Sequence, residues 1–198
     1  VPHKKDLNKN WKRKGDTDMS TLTEIIQGRR SIRKYEQTPV ADEHLQAILE
    51  AVQWAPSWAN TQIWEVVVIK DAGTKEKLQL AMAPKNPATK AIVDAPIVLA
   101  LCAKLGSSGY YSGVVTTKHQ DWYMFDLGLA AQNICLTAHD LGLATVIVGL
   151  YDHNKVNEIL KVPAGYDNVA LIPLGYAAKS GLAPKRRELS EIVHYDVF

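Results

Sequence analysis

The chain predicts a mixed fold, α/β or α+β, in which helices flank a small sheet. Three observations predict it. Four short apolar runs, Trp64–Lys70, Pro96–Ala103, Ala144–Gly149 and Asn168–Gly175, read as buried strands. Between them lie segments with apolar residues at helical spacing. The two kinds alternate irregularly, without internal repeats.

Taken in order, Thr21 and Glu24 have capping-box spacing, and Leu22, Ile25 and Ile26 give an apolar face. The first helix is predicted to reach Gly28. A second follows Asp42, with Leu45, Ile48, Leu49 and Val52 on one face, and stops before Pro56. The β-branched run WEVVVIK gives the first strand. Lys75–Met82 reads as a short helix and PIVLALCA as the second strand. Gly106–Gly113 (GSSGYYSG) reads as a mobile loop. Asp121–Leu141 is a long helix, apolar nearly all round, which belongs centrally or at a subunit interface. After the third strand, Asp152 caps a helix carrying Val156, Ile159 and Leu160, and the fourth strand closes the set.

Composition narrows the function. Of 198 residues, 46% are hydrophobic and 22% charged, which suits one globular domain with a sizeable core. Net charge is +2, but residues 1–18 hold six basic and three acidic side chains, so the rest nets −1. That distribution argues against a general polyanion surface and leaves room for a local anion site. Residues 1–18 read as a disordered or cloning-derived basic leader, with Met19 opening a single domain over 19–198; a short nucleic-acid-binding arm is the alternative. Cys102 and Cys135 are too few for a disulfide framework and read as buried small hydrophobes. No apolar stretch reaches the ~18 residues of a membrane span, and no secretory signal is recognisable. The expected compartment is the cytoplasm, with neither nucleic acid nor membrane as partner.

Three segments carry chemistry. Arg29-Arg30-Ser31-Ile32-Arg33-Lys34-Tyr35 places three arginines and a serine at a helix end. Arginine forks match phosphate oxygens. Cations there also complement the helix dipole. Ala55-Pro56-Ser57-Trp58-Ala59-Asn60-Thr61-Gln62-Ile63-Trp64 sets Ser, Asn and Gln between tryptophans. Amides can read the edge of a planar heterocycle, and indoles can pack on its rings; a capped loop with core aromatics has the same composition. Lys185-Arg186-Arg187 is a basic run that gains interest beside the first, since two separated groups could close on one phosphate.

The chain has no P-loop, no G-x-G-x-x-G opening a helix, no G-x-S-x-G elbow and no histidine pair at metal-ligand spacing. No nucleophile–base pair stands out, so no catalytic side chain and no metal are expected. Anion and heterocycle motifs without protein-borne chemistry point to a bound cofactor that carries the reaction.

In these motifs the chain resembles the nitroreductase family of FMN-dependent oxidoreductases. The resemblance runs from Ser20 to Tyr195, through RRSIRKY, APSWANTQIW, FDLGLAAQNICLTAHDLGLATVIVG, NVALIPLGYAA and PKRREL…IVHY. It implies an α+β fold with a small, mostly antiparallel sheet and an interlocked homodimer. It implies that Arg29, Ser31 and Arg33 hold the flavin phosphate and ribityl chain, with Arg30 giving mainly backbone contacts. Lys185 and Arg187 would close on the same phosphate. Pro56, Ser57, Trp58, Asn60 and Gln62 would reach the flavin across the dimer interface. The backbone of Gly149 and Leu150 would approach its reactive nitrogen, and Asn86 or Lys90 would supply a mid-chain contact. Ile63 and Leu150 depart from the family's usual Pro and Gly, which bears on the cavity over the flavin.

The implied reaction is ping-pong. NADH or NADPH passes a hydride to flavin N5, and an electron-poor small molecule (nitroaromatic, quinone, flavin or activated alkene) then takes it. Trp58, Tyr110, Tyr111, Trp122 and Tyr123 are candidate walls of the acceptor pocket, with core packing as the other reading. A non-redox flavin binder, or a flavin-fragmenting, dehalogenating or azoline-oxidising relative, is the alternative function.

Overall fold

A computed structural model describes residues 22–198. The predicted capping residue Thr21, Met19 and the basic leader lie outside the described residues. The elements are α1 (Leu22–Gly28), α2 (Asp42–Gln53), β1 (Trp64–Ile69), α3 (Ala72–Gln79), α4 (Ala91–Asp94), β2 (Ile97–Lys104), β3 (Tyr110–Tyr111), β4 (Val114–Val115), α5 (Tyr123–Asp140), β5 (Ala144–Thr145), α6 (His153–Leu160) and β6 (Tyr166–Gly175).

The fold is α+β. The main sheet has the order β1-β2-β6-β5, and every neighbouring pair is antiparallel. Strand β2 explains why its sequence is apolar without alternation. Ile97, Leu99, Leu101 and Ala103 face one core with Ile48 and Val52 of α2 and Leu127 and Ile134 of α5. Val98 and Ala100 face a second core with Leu78 of α3, Ile92 of α4 and Val156 of α6. A strand covered on both faces needs apolar residues at both parities.

Several boundaries differ from expectation. Helix α3 begins earlier than Lys75, because Asp71 accepts from the Thr74 N–H at 2.7 Å and caps it there. Helix α4 was not anticipated. The third strand is cut to Ala144–Thr145: the chain then leaves the ladder, with Ile147 half exposed and Val148 returning as a single bridge to Leu171. The GSSGYYSG loop contains the β3–β4 hairpin, and its Ser108 is fully buried. Gly109 is needed there: at φ +87° it packs against the Gln120 carbonyl, where a side chain would collide. Helix α5 is central as expected, with Met124, Gly128 and Gln132 on its exposed line. Exposed apolar side chains remain on it at Met124 and Phe125, and others lie on α1, which buries no residue, and on the segment Leu182–Phe198.

One residue of β6 is extra. Leu101 pairs with Ala170 and Cys102 with Asn168, so Val169 bulges from the ladder. The buried Asn168 amide covers the gap, donating to the Leu101 carbonyl at 3.1 Å. At the strand's end, a Cβ on Gly175 would lie 2.5 Å from Cδ of Pro96. A proline ring cannot swing away, so Gly175→Ala is expected to lose about 1–3 kcal/mol. Urea titration should show a lower midpoint at unchanged slope.

Candidate functional site

The cationic site begins where α1 ends. Arg30 folds back on its own helix, donating to the carbonyls of Gln27 at 2.6 Å and Arg29 at 2.8 Å. That is the dipole-complementing role of a terminal cation. Ser31 bridges Thr145 in parallel, and the Ile32 N–H donates to the Thr145 carbonyl at 2.9 Å, which lays the segment beside β5. Tyr35 pairs antiparallel with Ala177, and the Ala178 N–H reaches the Lys34 carbonyl at 3.0 Å. These bonds bring the far end of the chain back to the first cluster.

The result is a cleft of about 330 Å³ lined by Arg29, Arg30, Ser31, Arg33, Leu182 and Arg186, among others. The tail cation at this cleft is Arg186, which the sequence did not single out. Lys185 is exposed and does not line it. Arg187 is paired with Glu191, its Nε 3.6 Å from Oε2 and its guanidinium also donating to the Glu191 carbonyl. A neighbouring cavity of about 340 Å³ shares Arg29 and adds Cys135, His139 and Thr145. Burial, then the charges of Arg29 and Arg30, hold the His139 ring below its ordinary pKa, against Asp140. Burial pushes the Cys135 thiol up. Neither adds charge near neutrality, so the arginines carry the positive charge of this region. Gly28 makes room for His139, whose Nε2 lies 2.6 Å from where a Cβ would be.

The loop after α2 is held in an unusual shape. Ala59, Asn60 and Gln62 have φ of 43°, 57° and 47°. Left-handed backbone at non-glycine residues costs about 1–3 kcal/mol each and persists only where surroundings enforce it. Part of that enforcement is local. The Gln62 N–H donates to Ser57 Oγ at 3.0 Å, and Gln62 Nε2 to Asn60 Oδ1 at 3.2 Å. The rest comes from Asp126 in the first turn of α5, only 1% exposed. Its carboxylate accepts from the Trp58 N–H at 3.2 Å and from Ser108 Oγ at 2.7 Å. Asp126 was missed in the sequence, although a carboxylate opening an otherwise apolar helix is itself a signal of buried donors nearby.

The Trp58 ring meets Tyr111 at 6.1 Å and Trp122 at 5.4 Å; Phe125 and His119 join through Trp122. Pro56, Ser57, Trp58, Trp122, Phe125 and Leu129 line a cavity of about 390 Å³. Tyr110 pairs with Val115 in the hairpin, while Tyr123 packs on the core shared by α2 and α5.

The third group is the turn before α6. Asn86 Nδ2 donates to the Leu150 carbonyl at 2.7 Å, so it belongs to this turn. Lys90 does not reach it, being paired with Asp94 at 2.6 Å. Gly149 lines a cavity of about 250 Å³ with Leu101, Met124, Ile147 and Val169. The arginine cleft, the Trp58 cavity and the Gly149 cavity share no lining residue. Among the described residues, no helix is long and apolar enough to cross a membrane.

Known proteins resemble most of this chain. FMN reductase (NAD(P)H) of Bacillus subtilis is 27% identical over 191 residues, 91% of this chain and 75% of its own. NADH dehydrogenase of Thermus thermophilus is 29% identical, over 83% of this chain and 91% of its own. The crystal structure of a nitroreductase family protein from Clostridium novyi NT superposes with a TM-score of 0.71 at 31% identity, covering 80% of this chain and 86% of that one. The FMN-dependent nitroreductase of Clostridium difficile R20291 gives 0.74 at 26% identity, covering 89% and 99%. The sequence model of the nitroreductase family matches residues 26–176, from α1 to the residue after β6, and the chain belongs to that family.

Proposed function

We propose that the protein is a homodimeric, FMN-dependent oxidoreductase that uses NADH or NADPH to reduce an electron-poor small molecule: a nitroaromatic, quinone, flavin or activated alkene. The observation that carries this reading is the arginine cleft, closed by a tail segment about 150 residues away in sequence. Its donor set fits a phosphate monoester, since Arg29, Arg33 and Arg186 line it and Arg30 is spent on its own helix.

When bound, FMN supplies the hydride chemistry, accepting from the nicotinamide and giving to the acceptor. The chain supplies position and electrostatics. Arg29, Arg33 and Arg186 hold the phosphate, with Ser31 beside them. Asn86 fixes the Leu150 carbonyl and so the turn whose backbone serves the reactive end. Pro56, Ser57, Trp58, Asn60 and Gln62 form the wall that excludes water, with Tyr111 and Trp122 behind it. Separate cavities for these groups within one protomer support a site completed by a second copy, as do the exposed Leu22 and Ile26 of α1 and Leu182, Tyr195 and Phe198 of the tail. Cys102 and Cys135 are free and buried, which suits a reducing compartment, and the proposed location is the cytoplasm.

The test is the visible spectrum of the purified protein, reconstituted with FMN, together with its mass in solution. A flavin spectrum that bleaches anaerobically with NAD(P)H, returns with an added quinone or nitroaromatic, and travels with a dimer is expected. A chain that takes up no FMN overturns the reading.

A further inference from the structure

His153 opens α6 and touches the same turn as Asn86. Its Nε2 lies 3.1 Å from the Gly149 carbonyl oxygen, and its Nδ1 lies 2.9 Å from the Asn168 carbonyl oxygen. Carbonyl oxygens only accept. A neutral imidazole has one N–H and can satisfy one of the two; the imidazolium has two and satisfies both. The Tyr151 ring stacks on it at 4.1 Å and 29°, a face that favours a cation. A cation at the first residue of a helix opposes the dipole, so these contacts are what would hold it there.

The charged and titratable groups on the surrounding elements have partners of their own. Asp152 accepts from the Lys155 N–H at 3.0 Å, and Lys155 Nζ reaches the Leu80 carbonyl at 3.4 Å. Asp167 of β6 accepts from Asn157 at 2.7 Å. The Tyr151 hydroxyl donates to Asn168 Oδ1 at 2.5 Å, and Asn168 Nδ2 approaches Cys102 Sγ of β2 at 3.6 Å. Burial raises both that phenol and that thiol, so both stay neutral.

The Gly149 carbonyl and the Leu150 N–H belong to one trans peptide unit and point in opposite directions. Among the described residues the Leu150 N–H meets no acceptor. The Leu150 carbonyl is fixed separately, by Asn86 and by the Ala83 N–H at 3.4 Å. The Gly149–Leu150 peptide is therefore held at its carbonyl and the following peptide at its own, with the Leu150 N–H left free.

We propose that His153 is a positioning residue: as the imidazolium it fixes and polarises the Gly149–Leu150 peptide, strengthening the free N–H that this turn offers to the flavin. The inference rests on the FMN reading above. Protonation strengthens the donor, so the effect is greatest at low pH and fades as pH rises and the ring loses its second proton.

The experiment compares the full chain with His153→Gln, which keeps an uncharged donor, and His153→Ala, which keeps none. In FMN-free protein, the Leu150 amide resonance should titrate together with the His153 ring nitrogens, and that titration should vanish in both variants. With FMN bound, wild type should hold the reduced form about tenfold more firmly at low pH than His153→Gln, about 30 mV for a two-electron couple, and the gap should close with rising pH. A Leu150 amide indifferent to the ring, or a ring singly protonated throughout about pH 5.5–8.5, overturns the proposal. So do equal potentials in FMN-loaded wild type and variants. Wild type that binds no FMN overturns the functional reading instead, and the amide titration still decides the role of His153.

Discussion

Arg29→Ala is expected to weaken FMN retention roughly 10- to 150-fold. Arg29 is the one arginine that lines both halves of the cationic cavity without donating to its own helix end, unlike Arg30. A charge-assisted hydrogen bond to phosphate contributes about 1.5–3 kcal/mol, which sets that range. Arg186→Ala should act in the same direction, because Arg186 lines the cleft. Arg187→Ala should act less, since its guanidinium is held by Glu191. Titrating FMN into the apoprotein by calorimetry gives all three affinities. Unchanged affinity in the Arg29 and Arg186 variants would remove the phosphate assignment; a loss confined to Arg187 would mean that the tail rearranges around the ligand. Raising the salt concentration should narrow the differences, as partly exposed charges are screened.

Asp126→Ala carries the largest expected loss of stability. Two donors, the buried Ser108 hydroxyl and the part-buried Trp58 N–H, would face no acceptor. Each unsatisfied donor costs about 1–3 kcal/mol. Relaxation of the strained backbone at Ala59 and Gln62 offsets part of this, leaving about 2–5 kcal/mol. For a domain of this size that is a fall in Tm of roughly 5–15 °C. Asp126→Asn keeps one acceptor and should lose less. The two effects separate by probe: thermal melting reads the stability, and Trp58 fluorescence reads release of the loop. A melting temperature within a degree of wild type in Asp126→Ala would contradict the role given to this carboxylate.

The sequence disclosed what periodicity and composition can carry. Helix α2 shows its buried face as Leu45, Ile48 and Val52, and β2 shows its double burial as an unbroken apolar run. It misled where an apolar run does not mean a ladder. Ala144–Gly149 reads as one strand, yet Ile147 is half exposed and the chain turns away after Thr145. Hydropathy records the wish to leave water, and a turn against a cavity satisfies it as well as a strand does. In the candidate site, the two basic clusters were legible as types but not as individuals. Nothing in Lys185-Arg186-Arg187 says which side chain turns inward, because that depends on the Tyr35–Ala177 pairing and on Glu191. Asn86 and Lys90 looked equivalent until an intrahelical-range partner, Asp94, was seen to occupy the lysine. The grip of His153 was beyond reach, since it joins a turn, a helix start and a bulged strand.

That bulge limits how the gene can vary. Val169 is the surplus residue of β6, whereas a one-residue slip in a regular ladder would turn its side chains to the wrong face. Here a loss of one codon before the bulge would offer a straight ladder as an attractive alternative. Accepting it would keep Ala170 onward in register and turn the residues between the deletion and Ala170 to the opposite face. Asn168 would then leave the Leu101 carbonyl, and its own carbonyl would move off His153. The bulged end of the strand therefore tolerates substitution better than shortening, and length variation is expected in the β3–β4 hairpin rather than in the tail that brings Arg186 to the cleft.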